Sequence, residues 1–133
     1  MKKVLVVALF FSSCSPNSLE DFQREGEGIT RSIITLLEDV SCRQELQVVL
    51  PELEKKFESL VDLMIEARTY QLTHPEDESL YESFTSEHLR KELQRVYALE
   101  GGREAIEKAQ HEALLRLDAF ERNIAKQNEL RRK

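Results

Sequence analysis

Apolar residues return along most of this chain at alternating steps of three and four, the spacing that keeps them on one face of a helix. A first seam runs through Leu19, Phe22, Gly26, Ile29, Ile33, Leu36 and Val40. Gly26 lies in it and Gly28 beside it, each costing up to about 1 kcal/mol against Ala inside a helix. The stretch is therefore expected to bend or fray, unless a neighbouring helix comes close at Gly26. Ser41 with Gln44 three residues later has the form of a capping box and predicts a restart. Leu46, Leu50, Leu53, Phe57, Leu60, Met64 and Ala67 then carry a second seam across Pro51. Proline has no amide hydrogen and suits the first turn of a helix, so a short helix to about Val49, a kink and a long helix to about Leu72 are expected.

Thr73-His74-Pro75-Glu76 reads as another helix start, with proline in the first turn and an acid at the third position. Leu80, Tyr81, Phe84, Leu89, Leu93, Val96 and Tyr97 form a third face, with Thr85 or Ser86 as a second capping point and Gly101-Gly102 ending it. From Arg103 the period resumes through Ile106, Ala109, Ala113, Leu117, Phe120 and Ile124 and fades into Arg131, Arg132 and Lys133. Acid-then-base pairs four apart, such as Glu20 with Arg24, Glu27 with Arg31, Glu87 with Lys91, Glu112 with Arg116 and Asp118 with Arg122, line the outer faces and support helix. Four amphipathic segments with short connectors predict an all-α fold, an antiparallel helical bundle of about four helices or an extended helical hairpin. Seams this strict also permit two copies to pair as a coiled-coil homodimer.

Composition agrees. At 133 residues the chain is one domain's length, 41% apolar residues are too many for disorder, and four Gly with three Pro are too few for a many-stranded sandwich.

The first eleven residues break the pattern. Met1, Lys2 and Lys3 precede an unbroken apolar run, Val4 to Phe11, which is far short of the roughly 20 residues a spanning helix needs. A basic start, a short apolar run and small residues after it have the layout of an export signal; a buried first strand would call for strand-helix alternation that does not follow. Phe11-Ser12-Ser13-Cys14 resembles the lipobox of bacterial lipoproteins, with Phe11 where Leu is usual. That resemblance implies cleavage before Cys14, diacylglycerol on its sulfur and a further acyl group on its new amino terminus. Ser15 after the cysteine resembles lipoproteins of the outer rather than the inner membrane. Ordinary signal cleavage after Cys14 is the alternative. The expected division is a signal over residues 1–13, a lipidated linker over 14–18 and a helical domain over 19–133.

Charge narrows the partners. Taking Lys2 and Lys3 from the 19 basic residues leaves 17 against 25 acidic, a net charge of −8 that is repelled by anionic lipid and by nucleic-acid phosphates. Residues 101–133 alone are net basic, so the last helix is expected to pack against the acidic remainder. A stable hold on a membrane would come from acyl chains on Cys14, each buried methylene contributing about 0.8 kcal/mol. The second cysteine, Cys42, is read as a buried free thiol, with a disulfide to a second copy, to a partner or to an unlipidated Cys14 as alternatives.

Candidate chemistry is thin. His74, His88 and His111 are scattered; Glu107 and His111 share a helix face but lack a companion pair, so no metal site is expected. The run Glu76, Asp77, Glu78 reads as solvated first-turn charge, and Gly101-Gly102 as a terminator rather than a phosphate cradle. No nucleophile motif stands out, and no cofactor is expected. Tyr70, Tyr81 and Tyr97, with Phe57, Phe84 and Phe120, read as core, or as a groove for a partner helix or an acyl chain. The expectation is a non-catalytic, membrane-anchored periplasmic lipoprotein with a protein partner in the envelope; the alternative is a periplasmic chaperone or carrier of an apolar ligand.

Overall fold

A computed structural model describes residues 16–77 and 84–133. It holds four helices and, among the described residues, no strand: α1 (Leu19–Glu38), α2 (Arg43–Thr73), α3 (Phe84–Tyr97) and α4 (Gly102–Arg132). The chain is an all-α helical bundle.

Helix starts follow a repeated device. Ser18 caps α1 by accepting the Asp21 amide at 3.2 Å, while the Asp21 carboxylate accepts the Asn17 amide at 3.2 Å. At α2 the cap is Cys42 rather than Ser41, and the residue that reaches back is Glu45 rather than Gln44, accepting the Ser41 amide at 3.2 Å and hydroxyl at 3.0 Å. The expected box is thus shifted by one residue, because a carboxylate accepts amide hydrogens better than a glutamine can.

Two expected breaks are absent, and one expected helix start is a helix end. α1 runs unbroken through Gly26 and Gly28. α2 runs through Pro51 as one helix. Pro51 and Gln47, whose carbonyl loses its partner, are both exposed, which leaves that carbonyl on a face open to solvent, while buried Leu46 and Leu53 hold the register on the opposite face. Thr73-His74-Pro75 ends α2 instead of starting α3: Tyr70 stacks on His74 at 4.1 Å, the His74 amide donates to the Tyr70 carbonyl at 2.9 Å, and proline follows the cap. Leu80 and Tyr81, expected in the third face, lie outside the described residues. Thr85 and Ser86 fall within the first turn of α3.

Gly101, expected to terminate α3, is instead the cap of α4, with φ 68°, and Gly102 begins that helix. A Cβ on Gly102 would overlap the Val96 carbonyl oxygen, so the close α3–α4 turn requires glycine at both positions.

Helix order around the bundle is α1, α2, α4, α3; α1 touches α2 and α3, α4 touches α2 and α3, and the two diagonal pairs do not meet. Consecutive helices run antiparallel, as expected, and the two hairpins stack so that α1 lies parallel to α3 and α2 parallel to α4. The α2–α4 direction is fixed by Gly101 lying against Arg43 and Arg116 pairing with Asp62 at 2.8 Å. Both hairpin turns therefore sit at one end, here the closed end. Ile33, Leu37, Leu46, Leu53, Val96 and Ile106, all fully buried, gather toward it.

Charge pairing is partly as expected. Arg24 meets Glu20 at 3.3 Å and Arg31 meets Glu27 at 3.7 Å, but Glu87 takes Arg90, and Arg116 leaves Glu112 for Asp62 across the interface. Arg122 likewise donates to the backbone carbonyl of Asp118 rather than to its carboxylate. The net-basic last helix thus docks on an acidic one.

Candidate functional site

An apolar groove opens where the helices diverge from the closed end. Its floor is α1, with Gly26 and Thr30; one wall is α2, with Leu60 and Met64; the other is α3, with Leu89 and Leu93. The cleft encloses about 490 Å³. An adjoining lobe of about 240 Å³ shares Gly26, Leu60 and Met64 and runs between α1 and α2 to Leu19 and Phe22.

The groove follows from helix order. Because α2 and α3 are diagonal neighbours, their apolar faces meet a gap rather than each other. Gly26 deepens it. Its missing Cβ would stand 3.5 Å from the Leu63 side chain, an ordinary contact, so glycine is not demanded by close approach; it leaves the floor bare. Met64 stays 46% exposed on the wall, where a core methionine would be covered. On the rim, Arg90 is held by Glu87, which pulls the carboxyl below its usual range mainly through that hydrogen bond and raises the guanidinium.

The lobe's outer end is pinned by Asp77. Its carboxylate accepts the Leu19 amide at 3.2 Å and the Tyr70 hydroxyl at 3.0 Å, and Tyr70 also packs on Phe22 at 5.6 Å between ring centres. Partial burial, then the Asp77 hydrogen bond and charge, push the Tyr70 phenol above its ordinary value. Asp77 therefore serves the start of α1 from 58 residues away rather than standing as solvated first-turn charge.

Other sequence candidates scatter. Cys14 and Ser15 lie outside the described residues. Cys42 is a free thiol, but half-buried at a helix cap rather than in the core, with its Sγ 3.5 Å from Glu45. That thiol and the two Ser41 groups hold the Glu45 carboxyl below its usual range, Ser41 contributing most. His111 and Glu107 are exposed beside Glu54, Glu104, Lys108 and Glu112. Among the described residues no three metal-ligating side chains converge, and no helix is long and apolar enough to cross a membrane. Tyr97 lies under the Arg103 guanidinium at 5.4 Å.

Sequence reasoning had Leu60, Met64, Leu89 and Leu93 as seam residues and missed that two seams would be left facing a gap. Comparison with protein-family models, curated proteins and solved structures finds no match to this chain.

Proposed function

We propose that this chain is a lipid-anchored protein of a bacterial envelope, held by acyl chains on Cys14 and facing the periplasm, with its helical body acting as a non-catalytic interaction or assembly module. The observation that carries the reading is Phe11-Ser12-Ser13-Cys14 behind a basic start and an eight-residue apolar run, four residues ahead of the Ser18 cap. Such a layout suits a short tether running straight into α1. Ser15 supports the outer membrane over the inner. Covalent labelling with palmitate in the producing cell tests it: label on the wild-type chain that vanishes in Cys14→Ala is expected, and an unlabelled wild type would remove the anchor.

The groove favours a second reading, a carrier or chaperone that holds an apolar ligand or chain between its helices. Its volume lies within the roughly 300–1,000 Å³ usual for small-ligand sites, and its lining is largely apolar.

A further inference from the structure

We propose that the groove floored by Gly26 is a berth for one acyl chain of the lipidated Cys14, filled whenever the protein is away from a bilayer; this rests on the anchor reading above.

Position comes first. The lobe reaches Leu19 and Phe22 at the start of α1, and five residues from Cys14 to Leu19 span up to roughly 17 Å, enough to bring the lipidated sulfur alongside that end of the lobe. Length agrees as well. From Leu19 to Thr30 the floor helix rises roughly 16 Å, and one acyl layer occupies about 15 Å, half of a bilayer's hydrocarbon core. Charge then separates an attached chain from a free fatty acid. A free acid brings a carboxylate that wants a cation, but the cation in the lining, Arg90, is already engaged by Glu87, and Glu27 in the same lining meets Arg31. A chain esterified to glycerol on Cys14 brings no charge. Energetics set the order of preference: a bilayer covers the chain on all sides and the groove leaves one side open, so membrane wins over groove and groove over water.

The sequence has no tryptophan, so one introduced at Met64 reports on the groove alone. The full chain carrying Met64→Trp is produced in acylating bacteria, purified in detergent and moved into buffer, with mass spectrometry reading the state of Cys14. The acylated protein is expected to emit further to the blue than a Cys14→Ser counterpart produced without residues 1–13. Added methyl ester of brominated palmitate, uncharged like the attached chain, should quench the counterpart and leave the acylated form unquenched. Gly26→Leu, which raises the floor while favouring helix, should abolish both differences, and phosphatidylcholine vesicles should reverse the blue shift by drawing the chain into the bilayer. Acylated protein that emits and quenches like Cys14→Ser overturns the berth and leaves the anchor standing. So does a blue shift that persists with vesicles. An unmodified Cys14 in the mass spectrum overturns the anchor, and the berth with it.

Discussion

Arg95 closes the end of a helix to which it does not belong. α1 has no basic residue in its last turn; Arg95 of α3 donates to the carbonyls of Leu37 and Val40 at 2.6 Å each, the Leu37 carbonyl also accepting the Val40 amide at 3.0 Å, while Glu92 holds the guanidinium at 2.9 Å. Replacing it with methionine keeps the stem and removes the donors. Arg95→Met is expected to lower unfolding free energy by about 2 kcal/mol in urea denaturation, the range for charge-assisted hydrogen bonds; a loss below about 0.5 kcal/mol would show that water serves those carbonyls equally well. Tyr70 gives a pH signature. Its phenol is raised by partial burial and by Asp77, so the neutral form belongs to the folded state. The contribution is complete below the ordinary tyrosine value near 10 and fades as pH climbs through the higher folded value. In an ultraviolet titration the Tyr70 phenol should ionise above the ordinary tyrosine value, and Tyr70→Phe should delete that late step; a titration unchanged by the substitution refutes the assignment. Neither contact was readable in the sequence. Arg95 lies 55 residues from Val40 with no local pattern to join them, and Asp77, seven residues beyond Tyr70, lies past the end of α2, where the helix period no longer places it.

At the scale of elements, glycine separates the places where the chain needs freedom from those where it merely has it. Gly28 sits in α1 with nothing within 4 Å of an added Cβ. Gly28→Ala should therefore raise stability by about 0.5–1 kcal/mol through helix propensity. Gly102→Ala should do the reverse, costing about 2 kcal/mol or more, since the Val96 carbonyl must move. Thermal melts of the pair check both signs, and a stabilised Gly102→Ala would mean that the turn yields freely. Three seams were legible because amphipathic spacing needs only the helix period, and α1, α2 and α4, at 20, 31 and 31 residues, are long enough to repeat it several times. Boundaries were less so. Thr73-His74-Pro75 fits a helix start and a helix end alike, and the stacking of Tyr70 on His74 decides between them. Pro51 looked like a break because the sequence does not reveal that its face of α2 meets water.

For the whole molecule, the class of fold was readable and the stacking was not. Amphipathic faces state that helices must pack; which hairpin lies on which depends on partners such as Arg116 and Asp62, distant in sequence. The order α1, α2, α4, α3 leaves α2 and α3 apart, and the groove is the direct result. Cys14, the residue on which the proposed role turns, carries its signal entirely in the local sequence, whereas the groove is a property of the assembled bundle.

Both hairpin turns lie at one end, so the start of α1 and the finish of α4 leave together from the other, where the fully buried side chains thin out. That placement decides how the body bears tension. A pull between the start of α1 and the end of α4 would enter at the weaker end and part the contacts turn by turn, as a zipper opens, so that few of them resist at any instant. Attachment at opposite ends would instead load the whole interface in shear, and far greater force would be needed to break it.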